Sequence, residues 1–134
     1  MEDIFVARIM STDLHTVTPE TLVEDAAQVM LDNDIGSVIV VDDDGYLEGI
    51  LTTTDFVDIV AQSHPKAETA VSRYMSTDLV TATAQQPIQE VADAMITYGI
   101  HHMPVVDETE GVIGVVTTTD LAAYLADIDV PTAL

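Results

Sequence analysis

The sequence contains no cysteine, no tryptophan and almost no basic residues. Without cysteine, a disulfide scaffold, a thiolate metal site and a cysteine nucleophile are excluded. The only cations, Arg8, Lys66 and Arg73, are too few to form a basic patch for direct binding of DNA or RNA. No apolar run approaches the length of a membrane span, and the N-terminal Met1-Glu2-Asp3 is acidic where a signal peptide is basic. We therefore expect a cytoplasmic, soluble protein with no membrane or nucleic-acid partner.

The charge that is present is almost entirely negative. There are 24 acidic residues against three basic ones, which gives a net charge of −21. Because 48% of the residues are apolar and they are strongly patterned, we expect a folded chain and not a disordered one. An acidic surface suits a cytosol of molar salt, where the Debye length falls to about 3 Å and self-repulsion is screened. The composition therefore predicts a halophilic protein.

An internal duplication with an offset of 65 positions covers nearly the whole chain. Gly49–Asp55 (GILTTTD) returns as Gly114–Asp120 (GVVTTTD), and Met10–Leu14 returns unchanged as Met75–Leu79. Such a repeat indicates two copies of one structural unit. Since each half of about 65 residues would be only marginally stable alone, we expect the halves to share one core. We divide the chain into a first repeat (1–64), a linker (65–70) and a second repeat (71–134).

Each repeat shows the same order of predicted elements. In the first, apolar spacing at Val23, Ala26, Ala27, Met30 and Leu31 predicts a helix over about 22–33. A strand over 37–41, a turn over 43–45 and a strand over 46–51 then predict a hairpin. Thr53 or Thr54 is expected to cap a helix that continues to about residue 61. The equivalents in the second repeat are a helix over 88–98, strands over 103–106 and 112–116, and a helix over 121–126.

The duplicated Thr-Thr-Thr-Asp turn lies between a predicted buried strand and a predicted helix. A helix N-terminus offers unpaired N–H groups and the positive end of the dipole, which suit a phosphate. Threonine hydroxyls can donate to phosphate, and a carboxylate can accept two hydrogen bonds from a ribose diol. Gly49 and Gly114 would let a ligand or a second strand approach the backbone closely. Helix capping is the better explanation of one copy alone, whereas two intact Thr-x-x-Asp copies favour a ligand.

These motifs resemble the cystathionine β-synthase-type (CBS) domain. The residues that carry the resemblance are Val-x-Arg-x-Met-Ser-Thr-Asp-Leu, an apolar helix, a Val-Val-Asp strand, a turn and the Gly-x-x-Thr-x-x-Asp segment, over about residues 4–127. Two copies in tandem resemble a Bateman module. The resemblance implies an α+β fold of two β-α-β-β-α repeats, packed about a pseudo-twofold axis with two clefts between them. It also implies adenosine-containing ligands: AMP, ADP, ATP or S-adenosylmethionine.

The resemblance also assigns ligand-binding residues. Two carboxylates would hold ribose hydroxyls, those of Asp55 and Asp120. Two hydroxyls would reach phosphate, those of Thr52 and Thr117. The residues that would flank adenine come from near the first strand of the opposite repeat: Met10 and His15 beside Asp120, and Met75 and Val80 beside Asp55.

The two clefts differ in their histidines. His101 and His102 precede the central strand of the second repeat, where family members often place a basic phosphate contact, whereas Gly36 and Ser37 stand there in the first. A phosphate beside the histidines would favour their charged forms. The alternative places one histidine in the packing and the other in solvent. A metal site is less favoured because no third ligand is evident. We predict that the Asp120 cleft is the stronger nucleotide site.

Arg8 and Arg73 occupy equivalent repeat positions, either to anchor phosphate or to pair with local carboxylates. Together these features predict a stand-alone, non-enzymatic regulatory module that senses an adenine nucleotide or S-adenosylmethionine and reports to a regulated protein. No cofactor is required, although Mg²⁺ could accompany a triphosphate. The apolar helices over 56–61 and 121–125 suggest a homodimer. The alternative is a ligand-free dimerisation or protein-interaction module.

Overall fold

The computed structural model describes residues 4–62 and 69–132, without the side chains of 127–132. The predicted linker therefore lies mostly outside the described residues, as do His64 and Lys66. Within them the helices are α1 (Val6–Ile9), α2 (Val23–Asn33), α3 (Thr53–Gln62), α4 (Ile88–Tyr98) and α5 (Thr118–Thr132). The strands are β1 (Thr16–Val17), β2 (Ser37–Val41), β3 (Leu47–Thr52), β4 (His102–Asp107) and β5 (Gly111–Thr117). Mixed helices and small sheets confirm the predicted α+β class.

The chain forms two compact units that do not coincide with the two sequence repeats. Unit 1 joins the described residues up to Leu14 with those from Val80 onward, and unit 2 is built from the described residues of His15–Leu79. Each unit therefore combines most of one repeat with the beginning of the other. None of the described helices is both long and apolar enough to cross a membrane.

Unit 2 is a small sheet covered by α2 and α3. Strand β1 pairs in parallel with β2, which pairs antiparallel with β3, so the strand order is β1-β2-β3. An antiparallel bridge between Ile50 and Ser76 attaches the start of the second repeat to the other edge. The core consists of buried apolar residues from every element: Val17, Val23, Ala26, Met30, Val38, Val40, Leu51, Ile59 and Val71.

Unit 1 repeats this arrangement around the β4-β5 hairpin, on which α4 and α5 pack. A parallel bridge between Ala82 and Val105 takes the place of β1, and an antiparallel bridge between Ser11 and Val115 takes the place of the Ser76 bridge. Its core is a second cluster: Val6, Ala82, Val91, Met95, Met103, Val105 and Val116. Each unit therefore has its own buried cluster, which one valine from the other repeat completes. That the two halves share one core stays a prediction.

Backbone hydrogen bonds fix the segment that each repeat contributes to the other. In unit 1 the Val6 N–H donates to the Gln86 carbonyl at 2.9 Å, and in unit 2 the Val71 N–H donates to the Thr21 carbonyl at 2.7 Å. These pairs differ by the same 65 positions as the sequence repeat. Buried backbone N–H groups need hydrogen-bond partners, and these bonds provide them for the first residues of each repeat where they join the unit built mainly from the other repeat.

The face of α2 differs from the predicted pattern at one position. Leu31, predicted on the buried face of α2, is 75% exposed. The three buried residues of α2 are Val23, Ala26 and Met30, which follow the i, i+3, i+7 spacing of a narrow stripe. Leu31 lies next to that stripe, beyond the reach of the core.

Both hairpins turn at an aspartate, and the first turn lies where residues 43–45 predicted it. The Asp42 carboxylate accepts the N–H groups of Asp44 and Tyr46, and Asp107 accepts those of Thr109 and Glu110. Hydrogen bonds from the Thr109 hydroxyl and these N–H groups lower the pKa of Asp107, since they favour the ionised form. The Asp42 carboxylate therefore organises the first turn.

The ends of α2 and α4 provide a test of local backbone strain. Both C-caps are left-handed, with φ of 52° at Asp34 and 65° at Gly99. A side chain resists this conformation, and a carboxylate opposes the negative end of the helix dipole. We expect Asp34→Gly to raise the free energy of unfolding by about 0.5–1 kcal/mol in urea denaturation. Gly99→Ala is the matched control and should lower it by about 1 kcal/mol, although its Cβ would meet no atom within 4 Å. No gain in Asp34→Gly would contradict this account.

Candidate functional site

The strand-to-helix turn of unit 1 is held by a reciprocal capping pair. Strand β5 ends at Thr117 and α5 begins at Thr118. The Thr117 N–H donates to Asp120 Oδ2 at 2.9 Å, and the Asp120 N–H donates to Thr117 Oγ1 at 3.2 Å. This is the geometry of a capping box, which satisfies N–H groups that a helix N-terminus otherwise leaves unpaired.

Unit 2 has the same turn with a different hydroxyl. The Thr52 N–H donates to Asp55 Oδ2 at 2.8 Å, but here the Thr52 hydroxyl donates to that oxygen at 3.3 Å. The Asp55 N–H makes no hydrogen bond to the Thr52 hydroxyl, so only the aspartate half of the capping box forms in unit 2. Thr52 and Thr117 occupy the N-cap positions of α3 and α5, and the prediction that Thr53 or Thr54 caps α3 is wrong.

The capping role also determines which carboxylate oxygens of Asp55 and Asp120 remain available to a ligand. In each turn the structure assigns the hydrogen bonds of the aspartate to Oδ2, and none of the described residues donates to Oδ1. Asp55 and Asp120 are both half-buried. A fixed carboxylate with one oxygen free of protein partners can accept a hydrogen bond from a ligand hydroxyl. Capping and ligand binding are therefore compatible at this position.

His101 and His102 lie beside the N-terminus of α5. The first N–H of that helix, on Thr118, donates to the His101 carbonyl at 3.0 Å, and His102 pairs with Thr117 across the β4-β5 ladder. The equivalent residues of unit 2 are Gly36, which accepts from Thr53 N–H at 3.1 Å, and Ser37, which pairs with Thr52. The same backbone frame thus carries two imidazoles in one unit and no ionisable group in the other.

The two histidines have different environments. The His101 side chain is exposed, whereas His102 is half-buried and its Nδ1 is enclosed without a hydrogen-bond partner among the described residues. Burial lowers the pKa of His102, the neighbouring His101 lowers it further, and Asp120 opposes the shift. The alternative of one packed and one solvated histidine therefore describes this arrangement. No group of three possible metal ligands occurs in the described part of the chain.

The lowered pKa of His102 predicts a pH-dependent stability. The unfolded chain, with a histidine pKa near 6.5, binds more protons than the folded one just below that pH. The free energy of unfolding should therefore fall as the pH drops from 6.5 towards the lower pKa of the folded protein. Urea denaturation between pH 7.5 and 5 measures this slope. We expect His102→Gln to flatten the slope, and His101→Gln, which removes the smaller of the two causes that lower the pKa of His102, to reduce it only in part. Equal slopes in all three proteins would contradict the assignment.

Met10 and Met75 lie against the glycines of the duplicated segment. A Cβ built on Gly114 would lie 2.9 Å from Met10 Sδ and 2.9 Å from the Ser11 carbonyl oxygen, and one on Gly49 would lie 2.8 Å from Met75 Sδ. Of the two uses predicted for these glycines, the approach of a second strand is the one observed. The backbone that approaches these glycines is that of Ser11 and Ser76, which sequence reasoning did not identify. The two glycines were the signal that a close approach occurs there.

The remaining predicted residues are distributed between the units. Five of the predicted residues belong to unit 1, namely Met10, His101, His102, Thr117 and Asp120, and three belong to unit 2, namely Thr52, Asp55 and Met75. His15 belongs to unit 2 and Val80 to unit 1, so neither lies in the same unit as the aspartate to which it was assigned. Val80 packs against the unit 1 core.

The paired arginines also differ. Arg8 is exposed on α1, the helix that packs against α5, and it forms no ion pair with the described residues. Arg73 lies with its guanidinium carbon 6.0 Å from the centre of the Tyr74 ring, at the outer limit of a cation–π contact. The sequence left both arginines open between an anion anchor and a local pair, and only Arg73 has a local partner among the described residues.

Comparison with known proteins identifies the repeated unit. The profile of the CBS domain matches twice, over residues 6–62 and 71–127. The CBS domain-containing protein YhcV of Bacillus subtilis is 31% identical over 113 residues, which cover 84% of this chain and 79% of that protein. The homoserine O-acetyltransferase of Methanosalsum zhilinae is 33% identical over 121 residues, but these make up only 24% of the enzyme. This chain therefore spans about a quarter of that relative.

Solved structures give the same result for the fold. The crystal structure of the CBS domain pair of protein MJ0100 in complex with 5′-methylthioadenosine and S-adenosyl-L-methionine matches with a TM-score of 0.86. It is 28% identical, and the match covers 94% of this chain and 98% of that one. An uncharacterized conserved protein from Pyrococcus horikoshii matches with a TM-score of 0.84 and 29% identity, over 92% and 94% of the two chains. The chain therefore belongs to the CBS domain family and carries two CBS domains in tandem.

Proposed function

We propose that this CBS pair is a regulatory module that binds an adenosine-containing ligand at the Thr-x-x-Asp turn of each unit. AMP, ADP, ATP and S-adenosylmethionine are the candidate ligands, because ribose and adenine are common to all of them. Binding would report the energy or cofactor status of the cell to a partner protein. A ligand can do so only by binding two states of the module with different affinities.

One observation carries this proposal: the duplicated aspartate is fixed by its own helix turn and keeps one carboxylate oxygen free of partners among the described residues. A ribose hydroxyl is the donor that fits such an oxygen, and the helix N-terminus beside it favours an anion. Support also comes from the MJ0100 CBS pair, which is similar over almost its whole length and was crystallised with two adenosine derivatives. We propose a binding role only and assign no catalytic role to any residue.

A ligand-free interaction module is the second candidate, and a specific observation favours it. Capping accounts for the Thr-x-x-Asp motif in both units without any ligand. In addition, α3 and α5 expose large apolar side chains, with Val57 70%, Val60 62% and Leu125 57% exposed. For a chain of net charge −21, these helices suit a contact with a second copy. In this case dimerisation would be the whole purpose of the module.

Calorimetric titration of the four candidate ligands, in molar KCl with and without Mg²⁺, distinguishes the two functions. The nucleotide-sensor proposal expects heat and a raised melting temperature with at least one of them. The interaction-module proposal expects neither, together with a dimer by sedimentation that Val60→Asp dissociates. Absence of heat at a salt concentration where circular dichroism shows a folded protein would reject the sensor.

A further inference from the structure

We infer that the two sites differ in the charge of their ligand: the unit 1 site takes an adenosine compound that carries phosphate, and the unit 2 site takes one that does not. This inference rests on the proposed function, since it divides the ligand classes between the two sites proposed there. The backbone frame is the same in both, so the side chains on that frame decide the difference.

The first difference is the group that stands over the helix N-terminus. In unit 1 the His101 carbonyl is bonded to the first N–H of α5, and His102 pairs directly with Thr117. An imidazole there can donate a hydrogen bond to a phosphate oxygen when neutral and adds a charge when protonated. Unit 2 has Gly36 and Ser37 at the corresponding positions, which supply at most one neutral hydroxyl. Only the unit 1 site therefore has imidazole N–H groups that can donate hydrogen bonds to a phosphate at this point.

The second difference is the direction of the threonine hydroxyl. Thr117 Oγ1 accepts a hydrogen bond from the Asp120 N–H, so its own proton remains available for a ligand oxygen. The Thr52 hydroxyl instead donates its proton to Asp55 Oδ2 at 3.3 Å. An incoming phosphate in unit 2 would have to replace that bond. In unit 1 the phosphate would accept the free Thr117 hydroxyl proton without breaking any hydrogen bond of the turn.

The third difference is the charge of the nearby chain. Unit 2 has an exposed aspartate, Asp34, two residues before Gly36, where unit 1 has Gly99 two residues before His101. Each unit has one arginine at the equivalent position, but Arg73 of unit 2 lies against the Tyr74 ring, whereas the exposed Arg8 of unit 1, on the helix that packs against α5, forms no ion pair with the described residues. In a protein of net charge −21, a dianionic phosphate needs such local compensation more than an uncharged ligand does. All three differences act in the same direction.

The test uses two probes, AMP and 5′-methylthioadenosine, which share adenine and ribose but differ in the phosphate. Calorimetry at pH 7 in molar KCl is performed on Asp55→Asn, which leaves only the unit 1 site intact, and on Asp120→Asn, which leaves only the unit 2 site. We expect AMP to bind about tenfold or more tighter than 5′-methylthioadenosine in the first variant, and less tightly than it in the second.

Two further substitutions exchange the side chains between the sites. In the Asp55→Asn background, His102→Ser should weaken AMP binding about tenfold and change the affinity for 5′-methylthioadenosine less than twofold. In the Asp120→Asn background, Ser37→His should strengthen AMP binding. Circular dichroism melts verify that each variant is folded, and variants that melt below the assay temperature are replaced by His102→Gln and Ser37→Asn.

The outcomes separate this inference from the proposed function. Equal affinities of the two probes in both backgrounds, or equal losses of both in His102→Ser, would overturn the division of ligands while leaving the nucleotide sensor in place. Binding of neither probe by the wild-type protein would overturn both. Preference for AMP in the unit 2 site alone would also overturn the inference, since it reverses the predicted order.

Discussion

Gly114→Ala is expected to lower the free energy of unfolding by about 2–3 kcal/mol, because a methyl group has no room between β5 and the segment that docks on it. Its Cβ would lie 2.9 Å from the Ser11 carbonyl oxygen, closer than such contacts occur. That carbonyl cannot retreat freely, since it accepts the Val115 N–H at 3.0 Å while the Ser11 N–H donates to the Val115 carbonyl at 2.8 Å. Urea denaturation in molar KCl measures the loss, and the melting temperature should fall by about 10 °C.

Two controls separate this steric effect from the general cost of replacing a glycine. Gly45 has φ of 85°, and a methyl group on it would meet no atom within 4 Å, so Gly45→Ala should cost only about 1 kcal/mol through its backbone conformation. Adding Met10→Ala to Gly114→Ala removes the contact with Sδ but not the contact with Ser11, so little stability should return. A Gly114→Ala protein whose stability stays within about 0.5 kcal/mol of wild type would show that the Ser11 segment does not dock this closely.

Asp120→Ala is expected to weaken ligand binding at the unit 1 site by at least about 100-fold. A ribose diol bound to this carboxylate would lose two charge-assisted hydrogen bonds, at about 1.5–3 kcal/mol each. The same substitution removes the acceptor for the Thr117 N–H, so it should also destabilise α5 by about 1 kcal/mol. Calorimetry measures the first effect and urea denaturation the second.

Asp120→Asn distinguishes the two roles of this aspartate. An amide oxygen can still accept the Thr117 N–H, so stability should stay within about 0.5 kcal/mol of wild type while the affinity falls. Asp55→Asn tests the same separation in unit 2. If Asp120→Asn keeps full affinity at both sites for every ligand that the wild type binds, the carboxylate serves only as a cap, and the interaction module becomes the better account.

Most elements could be predicted from local pattern. Strand β2 and helix α4 have the predicted bounds, because a β-branched run bounded by turns and an apolar stripe are signals carried by neighbouring residues. Local pattern was less reliable at the edges of a face. Leu31 continues the apolar spacing of α2 but is exposed, since no part of the unit 2 core extends far enough to cover it.

The residues of the duplicated turn could be predicted from the sequence, but their hydrogen bonds and burial could not. Duplication alone identified Thr52, Asp55, Thr117 and Asp120, because both copies of the turn repeat the same polar residues. The direction of each threonine hydroxyl, the burial of His102 and the units to which His15 and Val80 belong could not be read from spacing. Each depends on which residues the fold brings together from distant parts of the chain.

The sequence by itself determined the repeat, the order of helices and strands, the acidic surface and the identity of the capped turns, since these follow from composition and from residues close in the chain. Only the tertiary structure decided that each compact unit includes the first residues of the other repeat. Gly49 and Gly114 made such an approach possible, but backbone bonds such as those of Ser11 with Val115 selected it. These bonds join residues about a hundred positions apart in the chain, and pairing over that distance is set by the packing of the whole unit and not by local propensity.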